Sequence, residues 1–413
     1  MKIDSIQTYL IDNPWKKWLF VRVGTSDGSY GLAEGTLYGE SSAVISELQD
    51  RRNMYMGKDP FMIEKLWNDW YRDSFNRNAS APNITALSAV ETACWDIVGK
   101  HYGAPIHALL GGAIRDKVKV YANGWYTHVS TPEEFAERAK EVVKKGYRAI
   151  KFDPFGTSYL SASTEDIRSY VRIIGAVREA VGDDTELLIE GHGRFTAETA
   201  VRIAKQIEGY NPRWFEEPVP PEDLEALRTV AAKTTIPIAS GERVLTIYGF
   251  APLIESHSVD IIQPDLINAG GILQGKKISA LADAHYVMVA PHQAEGPLAT
   301  ATCLQLDACI QNFEIQESFD EFDIAWRQDL LKEPIKIEGG YMSIPHGPGL
   351  GVELRMKEVE KHLATTAERP DFNLFERGWE NRNLPKPVGH RNGPQTRSRA
   401  NLTTSRPTRR KLE

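Results

Sequence analysis

Apolar and polar positions change their rhythm along the chain. Between residues 3 and 36, Ile6–Leu10, Leu19–Val23 and Tyr30–Glu34 read as strands separated by turn residues such as Ser26-Asp27-Gly28. Alternation followed by a glycine turn predicts a hairpin. Over about 40–56, 60–74 and 84–102 the period lengthens: Ala86, Ala89, Val90, Ala93, Cys94 and Ile97 recur at helical spacing before Gly111-Gly112 stops the run. Beyond Val118 the texture becomes a cycle. Short apolar strands are predicted near Val118–Ala122, Ala149–Phe152, Glu186–Glu190, Trp214–Glu216, Ile236–Ala239, Ile261–Gln263, Val287–Ala290 and Phe313–Gln316. Between them lie helical stretches such as Pro132–Lys145, Thr196–Glu208, Pro221–Lys233 and Gly271–Ala284. That number of strand–helix units is the count of a closed parallel barrel, and no G-x-G-x-x-G supports a doubly wound sheet. The expected fold is α/β: a (β/α)8-type, TIM-like barrel over 116–330 with an α+β N-terminal domain over 1–115. Ile335–Val352 again reads as short strands and turns, and about 335–370 is expected to complete the N-terminal domain.

With 413 residues, 41% of them hydrophobic and 25% charged, the chain can bury a large core. That excludes a disordered chain or a small disulfide scaffold. No apolar run reaches the ~18 residues of a membrane span, and the N-terminus lacks a signal-peptide pattern. Cys94, Cys303 and Cys309 are too scattered for a disulfide framework or a zinc site. A cytoplasmic protein is expected. The net charge of −7 hides an asymmetry: from Arg382 to Glu413, nine Lys/Arg face one acid, Glu413. The tail at 380–413 is also poor in large apolar residues, so burial cannot offset its ordering entropy and a flexible segment is expected. A basic tail could touch nucleic acid or an acidic neighbouring subunit, but nucleic-acid binding is not the expected role.

A barrel enzyme works at the C-terminal ends of its strands. The third predicted strand ends at Glu190, the fourth at Glu216, and the fifth is followed by Glu242. The two intervals are equal and match one β/α unit, so the carboxylates share one mouth. Such a cluster needs a cation, and hard oxygen donors suit Mg²⁺. The other strand ends bring Lys151, Asp153, Asp265, His292 and Glu317. Asp265 and His292 fall on consecutive strands, where the carboxylate would fix the imidazole tautomer and raise its basicity.

This ordered set, behind an N-terminal domain, resembles the enolase superfamily and within it the mandelate racemase subgroup. The resemblance covers about residues 1–365 and makes the N-terminal domain a capping domain. Val120–Tyr126, Lys151–Gly156 and Glu190–Phe195 resemble the gluconate and other sugar-acid dehydratases of that subgroup. The resemblance implies Glu190, Glu216 and Glu242 as Mg²⁺ ligands, His292 with Asp265 as base, Glu317 at the substrate carboxylate and His192 as general acid. It also implies a homo-oligomer. One position departs: racemases of the group carry Lys-x-Lys where this chain has Lys151-Phe152-Asp153. With one convincing base, elimination is expected rather than racemisation.

The expected reaction is Mg²⁺-dependent dehydration of a 2R sugar acid, such as D-gluconate, D-galactonate or D-xylonate, to a 2-keto-3-deoxy acid. His292 removes the C2 proton, an enediolate forms, and His192 protonates the leaving C3 hydroxyl. Lys151 and Glu317 are expected to donate to the building carboxylate charge, for which Glu317 needs a raised pKa. Neutral His292 beside protonated His192 implies a bell-shaped pH profile. Specificity is expected from loops near Asn13–Trp18 and Tyr38–Ser42, with Trp15 and Trp18 as sugar-face candidates. The alternatives are an aldarate dehydratase, whose distal carboxylate would call on Lys16, Lys17 or Arg194, a sugar-lactone cycloisomerase, or a non-catalytic binding barrel.

Overall fold

The computed structural model describes residues 1–75, 80–367, 374–376 and 378–379; the basic stretch 380–413 lies outside the described residues. The N-terminal region forms an antiparallel sheet of β1 (Ile3–Ile11), β2 (Trp18–Thr25) and β3 (Tyr30–Glu34). The long helix Ala81–Tyr102 packs on it and shares a core with Leu19, Val21, Trp67 and Trp70. The helical stretch expected over 40–56 breaks at Arg51 into Ser41–Asp50 and Arg52–Tyr55.

Eight parallel strands follow: β4 (Lys117–Ala122), β5 (Ala149–Phe152), β6 (Glu186–Glu190), β7 (Trp214–Glu216), β8 (Ile238–Ser240), β9 (Ile261–Ile262), β10 (Met288–Val289) and β11 (Gln316–Ser318). β11 pairs with β4, and Val289 bridges to Phe313, so the sheet closes into a barrel. The eighth strand pairs three residues later than the sequence pattern suggests. Ladder pairing with β4 starts at Gln316, opposite Val120, while Ile315 joins the apolar interior of the barrel.

The interior explains where the chemistry lies. Tyr121, Ala149, Leu188, Trp214, Ala239, Ile261, Ala290 and Ile315 form one buried cluster with a residue from each strand or its edge. Side chains on a strand face the same way every second residue. Two positions beyond this plug therefore come Asn123, Lys151, Glu190, Glu216, His292 and Glu317. The apolar layer closes the barrel floor, and the next layer is polar.

Local signals set the crossover helices. Ser163 and Thr131 close capping boxes on the helices Thr164–Val181 and Pro132–Lys144. The first of these, absent from the helices named above, carries the same amphipathic pattern.

Buried carboxylates join the N-terminal region to the barrel. Glu34 accepts from the Gly296 and Ala299 amides (2.7 and 3.0 Å) at the start of the helix Pro297–Asp307. Glu91 accepts from Ile272 and Leu273 (3.0 and 2.8 Å) at the start of Gly271–Ala284. Each carboxylate meets the unpaired amides and positive end of a helix. Gly271, at φ 88°, leaves the room that the Glu91 carboxylate fills. Past the barrel, β12 (Ile337–Glu338) and β13 (Tyr341–Ser343) form a hairpin. β13 pairs antiparallel with β4, on the barrel rather than the N-terminal sheet. Gly349 and Leu363 make backbone bridges to Pro105 and Ile11, and the Leu350 amide donates to the Asp96 carboxylate.

Candidate active site

The mouth of the barrel holds a cavity of about 470 Å³. Lys151, Glu190, Glu242, Asp265, His292 and Glu317 line it from the strand ends. Trp15, Lys16, Leu37 and Tyr38 enter from the N-terminal loops. Among the described residues, no helix is long and apolar enough to cross a membrane.

Glu190, Glu216 and Glu242 offer oxygens within 4.8 Å of one another. Burial, followed by repulsion from Glu190, raises the Glu216 pKa to about 8 despite the nearby Lys151. Three close, hard carboxylates that repel one another are the donor set a divalent cation satisfies. The residues present therefore fit a metal. Trp214 donates its indole N–H to Glu216 (2.9 Å), which orients that carboxylate.

Lys151 is buried among acids: Nζ lies 2.7 Å from Glu216, 2.9 Å from Glu317 and 3.2 Å from Glu190. Burial opposes its charge, but Glu216 and Glu317 outweigh that and hold its pKa well above the ordinary lysine value. Its three carboxylate partners hold the ammonium in place. Glu317 departs from expectation. Burial favours its neutral form, but Lys151 and His292, with donors from Gln293 N–H (2.9 Å) and Asn123 (2.8 Å), bring its pKa down to about 2. The sequence pointed to neighbouring acids; the tertiary structure adds the Lys151 ammonium, the facing His292 imidazole and donors that the carboxylate accepts from. Glu317 is an acceptor here, not a donor.

His292 Nδ1 lies 2.9 Å from Asp265 Oδ2, and Asn268 donates to the same oxygen (2.8 Å). With Nδ1 so engaged, Nε2 is left toward the cavity, 3.4 Å from Glu242 and 3.7 Å from Glu317. His192 forms a second histidine–carboxylate pair, its Nδ1 2.6 Å from Asp153 Oδ2. Its backbone is left-handed (φ 49°), and its amide donates to Glu190 (2.6 Å), tying the turn to the carboxylate cluster. The next residue, Gly193, is left-handed too (φ 60°), and a Cβ there would run into the Arg243 guanidinium.

Several expectations from the loops change. Trp18 is fully buried on β2, stacked near Phe20 and edge-on to Trp326, so it packs instead of facing the cavity. Lys17 donates to the Thr366 carbonyl (2.6 Å). Arg194 is fully buried and bonded to Asp153, Gly191 and Gly156. Lys16 does reach the cavity, but Glu295 neutralises it at 3.2 Å, with both side chains buried. Sequence reading missed Glu295 and Trp379. Glu295 lies three residues past His292 on the same strand-end loop, a signal that was available. Trp379 carries no local signal.

The architecture has known counterparts. Residues 12–111 match the Mandelate racemase / muconate lactonizing enzyme N-terminal domain, and residues 134–359 match the Enolase C-terminal domain-like family. The chain is 42% identical to a D-gluconate dehydratase of Thermoproteus tenax over 362 residues, covering 87% of this chain and 72% of that one. It is 36% identical to a D-gluconate/D-galactonate dehydratase of Picrophilus torridus over 384 residues, covering 91% and 97%. A crystal structure of a mandelate racemase/muconate lactonizing enzyme from Jannaschia sp. CCS1 superposes with a TM-score of 0.83 at 34% identity, covering 89% of this chain and 98% of that one. Both halves of the chain match, in order, the two domains of one known enzyme architecture, and the chain belongs to the mandelate racemase/muconate lactonizing enzyme group of the enolase superfamily.

Proposed function

We propose that this protein dehydrates a 2R aldonate of the D-gluconate, D-galactonate or D-xylonate type to a 2-keto-3-deoxy acid, with Mg²⁺ as its metal. The observation that carries this reading is the paired histidines. One cavity wall offers His292 on Asp265 and another offers His192 on Asp153, each with Nδ1 engaged by a carboxylate. One base and one acid are what elimination of water needs. The names of the relatives, D-gluconate and D-gluconate/D-galactonate dehydratase, support the same class.

Glu190, Glu216 and Glu242 would hold the metal, which supplies positive charge where the substrate carboxylate becomes more negative. His292 Nε2 takes the C2 proton, and Asp265 holds the imidazole that becomes charged. Lys151, fixed among three carboxylates, adds a buried cation beside the same site. His192 gives its proton to the C3 hydroxyl as the C3–O bond breaks. Water leaves, and the enol ketonises. A cavity of about 470 Å³ is in the range of small-molecule sites.

The far end of the substrate favours an aldonate over an aldarate. Among the described residues, the lysines and the arginine lining the cavity are committed: Lys16 to Glu295, Lys151 to its three carboxylates and Arg243 to Glu217 (2.6 Å). A neutral polyol suits paired charges; a second carboxylate does not.

The test is a product screen with Mg²⁺ over aldonates, aldarates and sugar lactones, with semicarbazide reporting 2-keto-3-deoxy products. Turnover of an aldonate, abolished in His292→Asn, is the expected result. Turnover confined to aldarates or lactones overturns the substrate assignment. Silence across the library in a folded, metal-loaded protein overturns the reaction and favours a binding role.

A further inference from the structure

Beyond residue 359, where the family match ends, Leu374 and Trp379 line the cavity. Trp379 is buried, 7% exposed, and its indole N–H donates to the Gly156 carbonyl at 2.9 Å. Its ring meets the His192 imidazole edge-on, with centroids 5.2 Å apart at 89°. Arg194 donates to the same Gly156 carbonyl (2.8 Å) and lies over the Phe375 ring at 4.2 Å and the Trp379 ring at 5.5 Å. Arg194 also bonds the Asp153 carboxylate that holds His192. Phe375, Trp379 and the carboxylate that holds His192 therefore meet at one guanidinium.

A single hydrogen bond at Nδ1 adds one fixed point to an imidazole tethered at Cγ. A packed aromatic surface fixes a second. We infer that Trp379 is a positioning residue for His192: it holds the acid's ring toward the leaving hydroxyl and closes that side of the cavity to water. This role rests on the dehydratase reading for its chemistry, but the contact itself does not.

The experiment uses the full chain with Trp379→Ala and Trp379→Phe. His192 imidazole resonances, assigned by their loss in His192→Asn, report the contact without turnover. In Trp379→Ala they should shift through loss of the ring current, with His292 resonances unmoved; unmoved His192 resonances overturn the inference. With an aldonate the wild type accepts, kcat for dehydration should fall ~10- to 100-fold, as misplacement of a catalytic group does, while KM stays within about threefold. Exchange of the C2 proton in D2O uses His292 and does not call on His192, so it should persist. Parallel loss of exchange and dehydration marks general damage and overturns the positioning role. Trp379→Phe keeps a ring at the contact and should retain most activity; a loss equal to that of alanine overturns it. A wild type that dehydrates no aldonate yet shows the resonance shift refutes the dehydratase reading alone.

Discussion

Asp153 accepts both the Arg194 guanidinium and His192 Nδ1 on one carboxylate oxygen, the imidazole at 2.6 Å. It stands at the position where the racemase pattern has its second lysine. In the proposed reaction, the departure replaces a would-be base with a carboxylate that orients the acid, His192. This relationship ties the elimination chemistry to a residue whose role the sequence left open.

Asp153→Asn should lower kcat for dehydration by ~100-fold, since an oriented general acid contributes on that order. It should also lower stability, because Arg194 is fully buried and would lose its ion pair. Steady-state kinetics and thermal melts check both. Full activity in the variant would refute the orienting role.

Metal binding should stabilise the protein, since a ligand for the folded state alone adds about 2.7 kcal/mol at a hundredfold excess over its Kd. The melting temperature should rise with Mg²⁺ and not with matched Na⁺. The rise should vanish in Glu216→Gln, which replaces one of three clustered carboxylates with a neutral amide. A Mg²⁺-independent melt in the wild type would count against the metal.

Glu295→Gln should shift specificity. Glu295 neutralises Lys16 in the cavity wall, and removing that charge frees an ammonium for a second carboxylate. The ratio of kcat/KM for aldarates over aldonates should rise ~10-fold, about 1.4 kcal/mol of discrimination. An unchanged ratio would detach Lys16 from the substrate's far end.

Glu34 predicts a pH effect on stability. Burial, opposed by donors from Thr36, Gly296 and Ala299, raises its pKa to about 7. The folded state then holds a proton that the unfolded chain has released above pH 4.5. The contribution is full below pH 4.5 and declines as the pH rises through about 7. Melting curves at pH 5 and pH 8 should show the wild type losing ground to Glu34→Gln at the higher pH. An opposite trend would mean the helix amides hold the carboxylate ionised throughout.

The sequence determined the parts that depend on periodicity. A strand repeats every two residues and a helix every 3.6, so hydrophobic pattern and caps alone mark the β/α cycle. The same period of two puts Lys151, Glu190 and Glu216 two places beyond the apolar plug, which made the polar layer legible. Tertiary structure decided what no local rhythm encodes. Lys16 meets Glu295 across 279 positions, and Trp379 meets Gly156 across 223. Trp18 points into packing and Trp15 into the cavity, three residues apart. Glu317 is an acceptor because Lys151 and His292, from other strands, surround it. Charge state and orientation depend on neighbours brought by closure of the barrel, and closure joins residues that share no segment of chain.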